Sequence, residues 1–174
     1  MERTQLAKRI RETAYLEGEF TLRSGRKSNY YLDKYLFETQ PDILKALGEM
    51  FATYVQDSTT LIAGAELGGV SLAAATSMAS GKPYVIIRNQ KKDYGTSKPY
   101  EGKLTDADSV ILVEDIATTG GQVLEAAKLM KEMGAKVERI VAVIDRQEGA
   151  RENVEECGFV FESLFTKADL GIKS

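Results

Sequence analysis

A chain of 174 residues fits one domain whose core stands without disulfides or structural metal, and 43% hydrophobic with 28% charged residues excludes wholesale disorder and fibrous architectures. The absence of histidine excludes Ser-His-Asp and Cys-His catalysis and histidine-ligated metals, while the single cysteine, Cys157, excludes an internal disulfide and suits a reducing cytoplasm. A net charge of -3 with dispersed Lys and Arg argues against a nucleic-acid partner, and with neither an apolar signal core nor a run of ~20 apolar residues, no membrane or export role is expected.

In chain order, Leu6, Ile10 and Ala14 recur at helical spacing among charges, predicting an amphipathic helix over 4–15 with Thr4 as candidate cap, ended by Gly18. Residues 19–37 read as two strands, EFTL and NYYLDKYLF, joined by the polar turn 23–28. Pro41 opens a helix to about Val55 with Ile43, Leu44, Leu47 and Phe51 on its buried face. Short apolar runs then alternate with helices: TLIAG, a helix over 70–80, YVIIR, SVILVE, a helix over 121–133, ERIVAVID, a short helix after Gly149, and FVFESLF. That alternation predicts an α/β fold with a mainly parallel sheet flanked by helices, in which Gly81 and Gly134 cap the helices before them. Residues 89–107, rich in Lys, Gly, Asp and Tyr, are left without regular pattern, the sign of a lid or binding loop.

The segment VILVEDIATTGGQVLEAAKLM carries the chemistry. An apolar strand delivers Glu114 and Asp115 to its C-terminal end, where open α/β sheets bind ligands, and Thr118-Thr119-Gly120-Gly121 leads into a helix. Unpaired N–H groups and the helix dipole favour a phosphate there, the threonines add donors, the glycines allow close approach, and the carboxylates can accept from a vicinal diol. The plainer alternative is a capped turn beside two solvated acids. A second glycine-rich turn, Gly64 to Gly69, follows another strand and can form an anion nest, or can be a turn that binds nothing. No G-x-G-x-x-G triplet or P-loop lysine accompanies either turn.

VILVEDIATTGG resembles the PRPP-binding motif of type I phosphoribosyltransferases. GEFTLRSGRKSNYYLDKYLFETQP, GAELGGVSLAAA, RNQKKDYGTSKPYEG and VIDRQEGA extend the resemblance, in the same order, to the orotate phosphoribosyltransferases, especially archaeal members. It implies the type I fold as a single domain over 1–174, with a small hood from residues 1–40 and a flexible catalytic loop over 89–107. It also implies a homodimer with shared active sites, PRPP and orotate as substrates, and Mg²⁺ held mainly through PRPP.

Carried over by position, Arg88, Lys92, Tyr94, Glu114, Asp115, Ile116, Ala117, Thr118, Thr119, Gly120, Gly121 and Gln122 would bind PRPP. Glu66, Leu67, Gly68 and Gly69 would meet its pyrophosphate, and Lys92, Asp115 and Glu114 would carry catalysis. Orotate would lie against Thr118, Arg146, Arg23, Tyr30 and Tyr31; read without the resemblance, Arg146 is a surface partner of Asp145 or Glu148. The family's usual lysine after the loop arginine is replaced by Asn89, and Tyr94 stands where histidine is common. The implied activity is formation of orotidine 5'-monophosphate in pyrimidine biosynthesis. Alternatives are transfer to another base, or a PRPP-sensing regulator with little catalysis, the latter usually needing an added DNA-binding segment.

Overall fold

The computed structural model describes residues 1–21, 25, 27–89 and 98–172. The elements run α1 (Arg3–Ala14), β1 (Tyr15–Thr21), β2 (Lys27–Leu32), α2 (Lys34–Glu38), α3 (Pro41–Ala52), β3 (Leu61–Ala65), α4 (Gly68–Ser80), β4 (Tyr84–Ile87), β5 (Tyr100–Glu101), β6 (Ser109–Ala117), α5 (Gly121–Glu132), β7 (Lys136–Asp145), α6 (Ala150–Glu156) and β8 (Phe161–Thr166). β1 and β2 form an antiparallel pair; the other six strands make one sheet in the order β5-β4-β3-β6-β7-β8. All its pairings are parallel except β4–β5.

Central strand β6 shows why the sheet holds. Val110 to Val113 are completely buried, as befits a strand covered on both faces. Alternation along it sends Ile111 and Val113 into one core with Ile43, Leu47, Phe51 and Leu72 of α3 and α4. Val110 and Leu112 enter a second core with Val123, Ala127 and Met130 of α5. Each such side chain contributes about 1.5–3 kcal/mol by leaving water. From β3 the chain crosses to β4 on one side, whereas β6 pairs on the other, so the strand order reverses between β3 and β6. The crevice beyond the carboxyl ends of those two strands is the ligand position of an open α/β sheet.

Several elements differ from the sequence reading. α1 is capped by Glu2 without a side-chain hydrogen bond, so Thr4 is not the cap, and Tyr15 begins a strand that passes through Gly18 at an irregular register. NYYLDKYLF is not one strand: Asp33 accepts a hydrogen bond from the Tyr35 amide and starts helix α2, a local cap that overrides the strand propensity of the aromatics. α3 stops at Ala52 rather than Val55, and α4 begins at Gly68 rather than Val70. Within 89–107, Tyr100 and Glu101 form an edge strand against β4, and Leu104 is buried.

Candidate active site

β6 carries Glu114 and Asp115 to the crevice, both buried, at 6% and 2% exposure. The two carboxylates part company there. Glu114 lines a cavity of about 1340 Å³, whereas Asp115 turns under the first turn of α4. Lys34 Nζ of α2 donates to Asp115 Oδ2 at 2.6 Å, and the Ile116 amide donates to Asp115 Oδ1. Gly68 makes this burial feasible, because a Cβ there would lie 1.6 Å from Asp115 Oδ2. One step earlier, a Cβ on Gly64 would lie 2.0 Å from the Gly69 carbonyl oxygen, so the helix start sits directly on the strand end.

A third acid, Glu38 of α2, joins this cluster: it is buried, its Oε2 accepts from Ser71 Oγ at 3.4 Å, and its Oε1 has no hydrogen-bond partner. Burial, then the neighbouring charge of Asp115, pushes the Glu38 carboxyl up to about 8. The same two causes, in the same order, raise Glu114 to about 8. For Lys34, burial opposes the charge, but the Asp115 carboxylate outweighs it and the pKa is raised. The cluster therefore enters neutral pH with Glu38 and Glu114 largely protonated beside a Lys34–Asp115 ion pair.

Ile116, Ala117, Thr118, Thr119, Gly120, Gly121 and Gln122 line the cavity with Glu114. Gly120 takes φ 76, a left-handed conformation that turns the chain into α5 and that a side chain would strain. Asn153 of α6 donates to the Thr119 carbonyl at 2.9 Å and holds the turn from behind. The first-turn amides of α5 thereby open onto the cavity, an arrangement that binds anions. Tyr31 and Arg146 line the same space. Arg146 Nη2 meets Glu148 at 3.0 Å and the Tyr30 hydroxyl at 3.2 Å, so the plain surface-pair reading of Arg146 is half right: the pair exists, but at the cavity wall. Its Nε is buried without a partner. Tyr30 itself stacks on Tyr15 and faces a smaller cavity of about 380 Å³ on its other side.

The second glycine turn stands beside this cavity. The Glu66–Leu67 peptide is cis, Leu67 is exposed, and Gln122 Nε2 donates to the Glu66 carbonyl at 2.8 Å, tying the turn to α5. Arg88 approaches Glu66 and Glu101, each at 3.4 Å. Arg23, Lys92 and Tyr94 lie outside the described residues. Lys34, Glu38 and Asn153 were not singled out by sequence reasoning; the one local signal for the first two was Asp33 as a helix cap.

A phosphoribosyl transferase domain model matches residues 37–171. The orotate phosphoribosyltransferase of Halobacterium salinarum is 50% identical over 153 residues, covering 88% of this chain and 87% of its own. The chain belongs to the orotate phosphoribosyltransferase family. Another member, from Methanocella arvoryzae, is 41% identical over 168 residues, 96% of each chain. Mycobacterium tuberculosis orotate phosphoribosyltransferase, solved in complex with PRPP, superposes with a TM-score of 0.83 at 28% identity, covering 97% of this chain and 98% of that one. The type I phosphoribosyltransferase fold expected from the motifs is thus the fold of this chain.

Proposed function

We infer that this chain transfers the ribose 5-phosphate of PRPP to orotate, releasing pyrophosphate and forming orotidine 5'-monophosphate. The observation that carries this reading is the meeting of three recognition elements on one cavity: the amide-rich turn opening α5, the Glu114 carboxyl group, and the Arg146 fork. The turn suits the 5'-phosphate, since its unpaired amides and the helix dipole favour negative charge. Glu114 suits the ribose diol, and Arg146, with a buried donor still unpaired, suits the orotate carboxylate or an adjacent ring oxygen.

The reaction releases one proton: the N–H bond of the attacking orotate ring nitrogen breaks, and the departing pyrophosphate or water takes up the proton. The C–O bond to pyrophosphate breaks as the orotate nitrogen bonds to the anomeric carbon from the opposite face, and positive charge develops on the ribose. Catalysis by this chain is positioning and charge stabilisation. The glycine turn at 66–69, Arg88 and Lys92 serve the leaving pyrophosphate, while Asp115 acts from beneath by fixing Lys34 and the strand end. Mg²⁺ would be held mainly through PRPP oxygens, at a cavity whose acidic lining side chains are Asp33, Glu114 and Glu148. When bound, the ion neutralises charge on the pyrophosphate. We propose further a homodimer in which Lys92 and Tyr94, carried on the loop over 89–107, complete the neighbouring site, a hood formed by residues 1–40, and a cytoplasmic setting. Among the described residues, no helix is long and apolar enough to cross a membrane.

The test is consumption of base by the purified protein with Mg²⁺ and PRPP, offered orotate, uracil, adenine or hypoxanthine separately. Orotate alone should be consumed. Use of a purine instead would keep the phosphate and ribose assignments and remove that of Arg146; no consumption of any base would favour a PRPP-sensing role.

A further inference from the structure

Asn89 occupies the position where the family usually has a lysine, and its hydrogen bonds show a use for the amide that no ammonium could serve. Its backbone N–H donates to Glu66 Oε2 at 3.1 Å, and its side-chain Nδ2 donates to the Glu66 carbonyl at 2.9 Å. Its Oδ1 accepts from Gln122 Nε2 at 3.2 Å, and the same Gln122 nitrogen donates to the Glu66 carbonyl. Three chain segments meet in this ring: the end of β4, the glycine turn after β3, and the first turn of α5. Glu66 is also anchored from below, its N–H donating to the Ile87 carbonyl at 2.9 Å. A lysine ammonium has donors only and cannot accept from Gln122.

We propose that Asn89 is a positioning residue that latches the pyrophosphate turn to the phosphate-binding helix start, so that the two anion subsites hold their spacing before PRPP arrives. This rests on the PRPP reading above and deepens it. A lysine would offer the pyrophosphate one more long-range charge, which salt screens. The amide offers preorganisation instead: a ligand with two anionic ends, spanning both turns, meets segments already ordered and loses less freedom on binding. Asn89 and Gln122 are exposed, so truncating either leaves the core intact.

The experiment is steady-state kinetics of wild type, Asn89→Ala, Gln122→Ala and the double variant, with PRPP and orotate varied separately, alongside direct titration of each protein with PRPP. Loss of the latch in Asn89→Ala should raise KM for PRPP roughly tenfold, with kcat and KM for orotate changing less than about threefold, the scale of one or two exposed hydrogen bonds. Asn89→Ala leaves the direct Gln122–Glu66 bond in place, whereas Gln122→Ala removes that bond together with the one to Asn89 Oδ1, so the double variant should fall clearly short of the product of the two single losses. An unchanged KM for PRPP in Asn89→Ala, or losses that multiply in the double variant, overturns the latch while leaving the function standing. A wild-type protein that neither binds PRPP nor consumes orotate instead defeats the underlying reading.

Discussion

Substituting Gly68 by alanine tests the construction of the site at its tightest point. The new Cβ would lie 1.6 Å from Asp115 Oδ2, less than half a normal contact distance. The carboxylate has no easy retreat, since Lys34 and the Ile116 amide hold its two oxygens, and the helix start is itself seated on the end of β3. Overpacking alone costs about 1–3 kcal/mol. Displacing Asp115 from Lys34 adds part of the ~3–5 kcal/mol that follows when a buried ion pair is broken, only part because Lys34 keeps 29% side-chain exposure. The expected loss is on the order of 4 kcal/mol, or a fall in Tm of about 8–16 °C for a domain of this size. Gly121→Ala is the control: its Cβ meets only Thr119 Oγ1, at 3.9 Å, so Tm should stay within about 2 °C while PRPP binding weakens, because the methyl faces the phosphate turn. Thermal unfolding followed by circular dichroism, with PRPP titration on the folded proteins, measures both. A Gly68→Ala protein melting within 2–3 °C of wild type would show that Asp115 is not confined as described.

Arg146→Ala should raise KM for orotate ~10–150-fold, the value of about 1.5–3 kcal/mol for charge-assisted hydrogen bonds, and Tyr30→Phe, which removes only the hydroxyl partner of Arg146, by up to ~10-fold; initial-rate kinetics with orotate varied separate the two. Glu38 binds its proton more tightly folded, with a pKa of about 8, than at the ordinary value of 4.5, so its contribution to stability is full below about pH 4.5 and is lost as pH rises towards 8. Urea midpoints of wild type should therefore fall across that window, and those of Glu38→Gln should fall less, with Glu114 supplying the remaining slope; parallel profiles would contradict the buried-acid assignment. Asp115→Asn and Lys92→Ala should each lower turnover ~100-fold or more with the far-ultraviolet spectrum unchanged. Mixing those two inactive variants should restore activity in hybrid dimers if the lid is shared between subunits, and persistent inactivity of the mixture would argue that each subunit completes its own site.

The parts of the site legible in the sequence are those specified by short-range rules. An apolar run ending in two acids and a Thr/Gly turn is a strand, a ligand edge and a helix start, and β6 with α5 follows that pattern, although β6 continues past the two acids to Ala117. Gly81, at φ 73, caps α4 as its position before a new strand implies. The misread pieces depend on partners distant in the chain or on one polar atom. β5 is two residues long and exists because β4 offers an open edge to Tyr100 and Glu101. The switch from strand to helix at Asp33 rests on a single carboxylate-to-amide hydrogen bond, too small a signal to overcome the aromatic, strand-like texture of YYLDKYLF. The different orientations of Glu114 and Asp115 are set by contacts with α2, α4 and the cavity, which no local pattern encodes.

The placement of α2 explains how a polyanion site can contain three buried acids. Left ionised and unpaired, Glu38, Glu114 and Asp115 would oppose both folding and phosphate binding, each buried charge costing several kcal/mol. Burial and mutual proximity keep two of them largely protonated near neutral pH, and Lys34 pairs with the third. The cation comes from a helix 81 residues earlier in the chain, and Phe37 on that helix, completely buried in the α3–α4 core, fixes its position. The N-terminal segment is therefore an electrostatic part of the site: without Lys34 beside it, the strand end that presents Glu114 would carry an uncompensated carboxylate beneath the helix start that a pyrophosphate must approach.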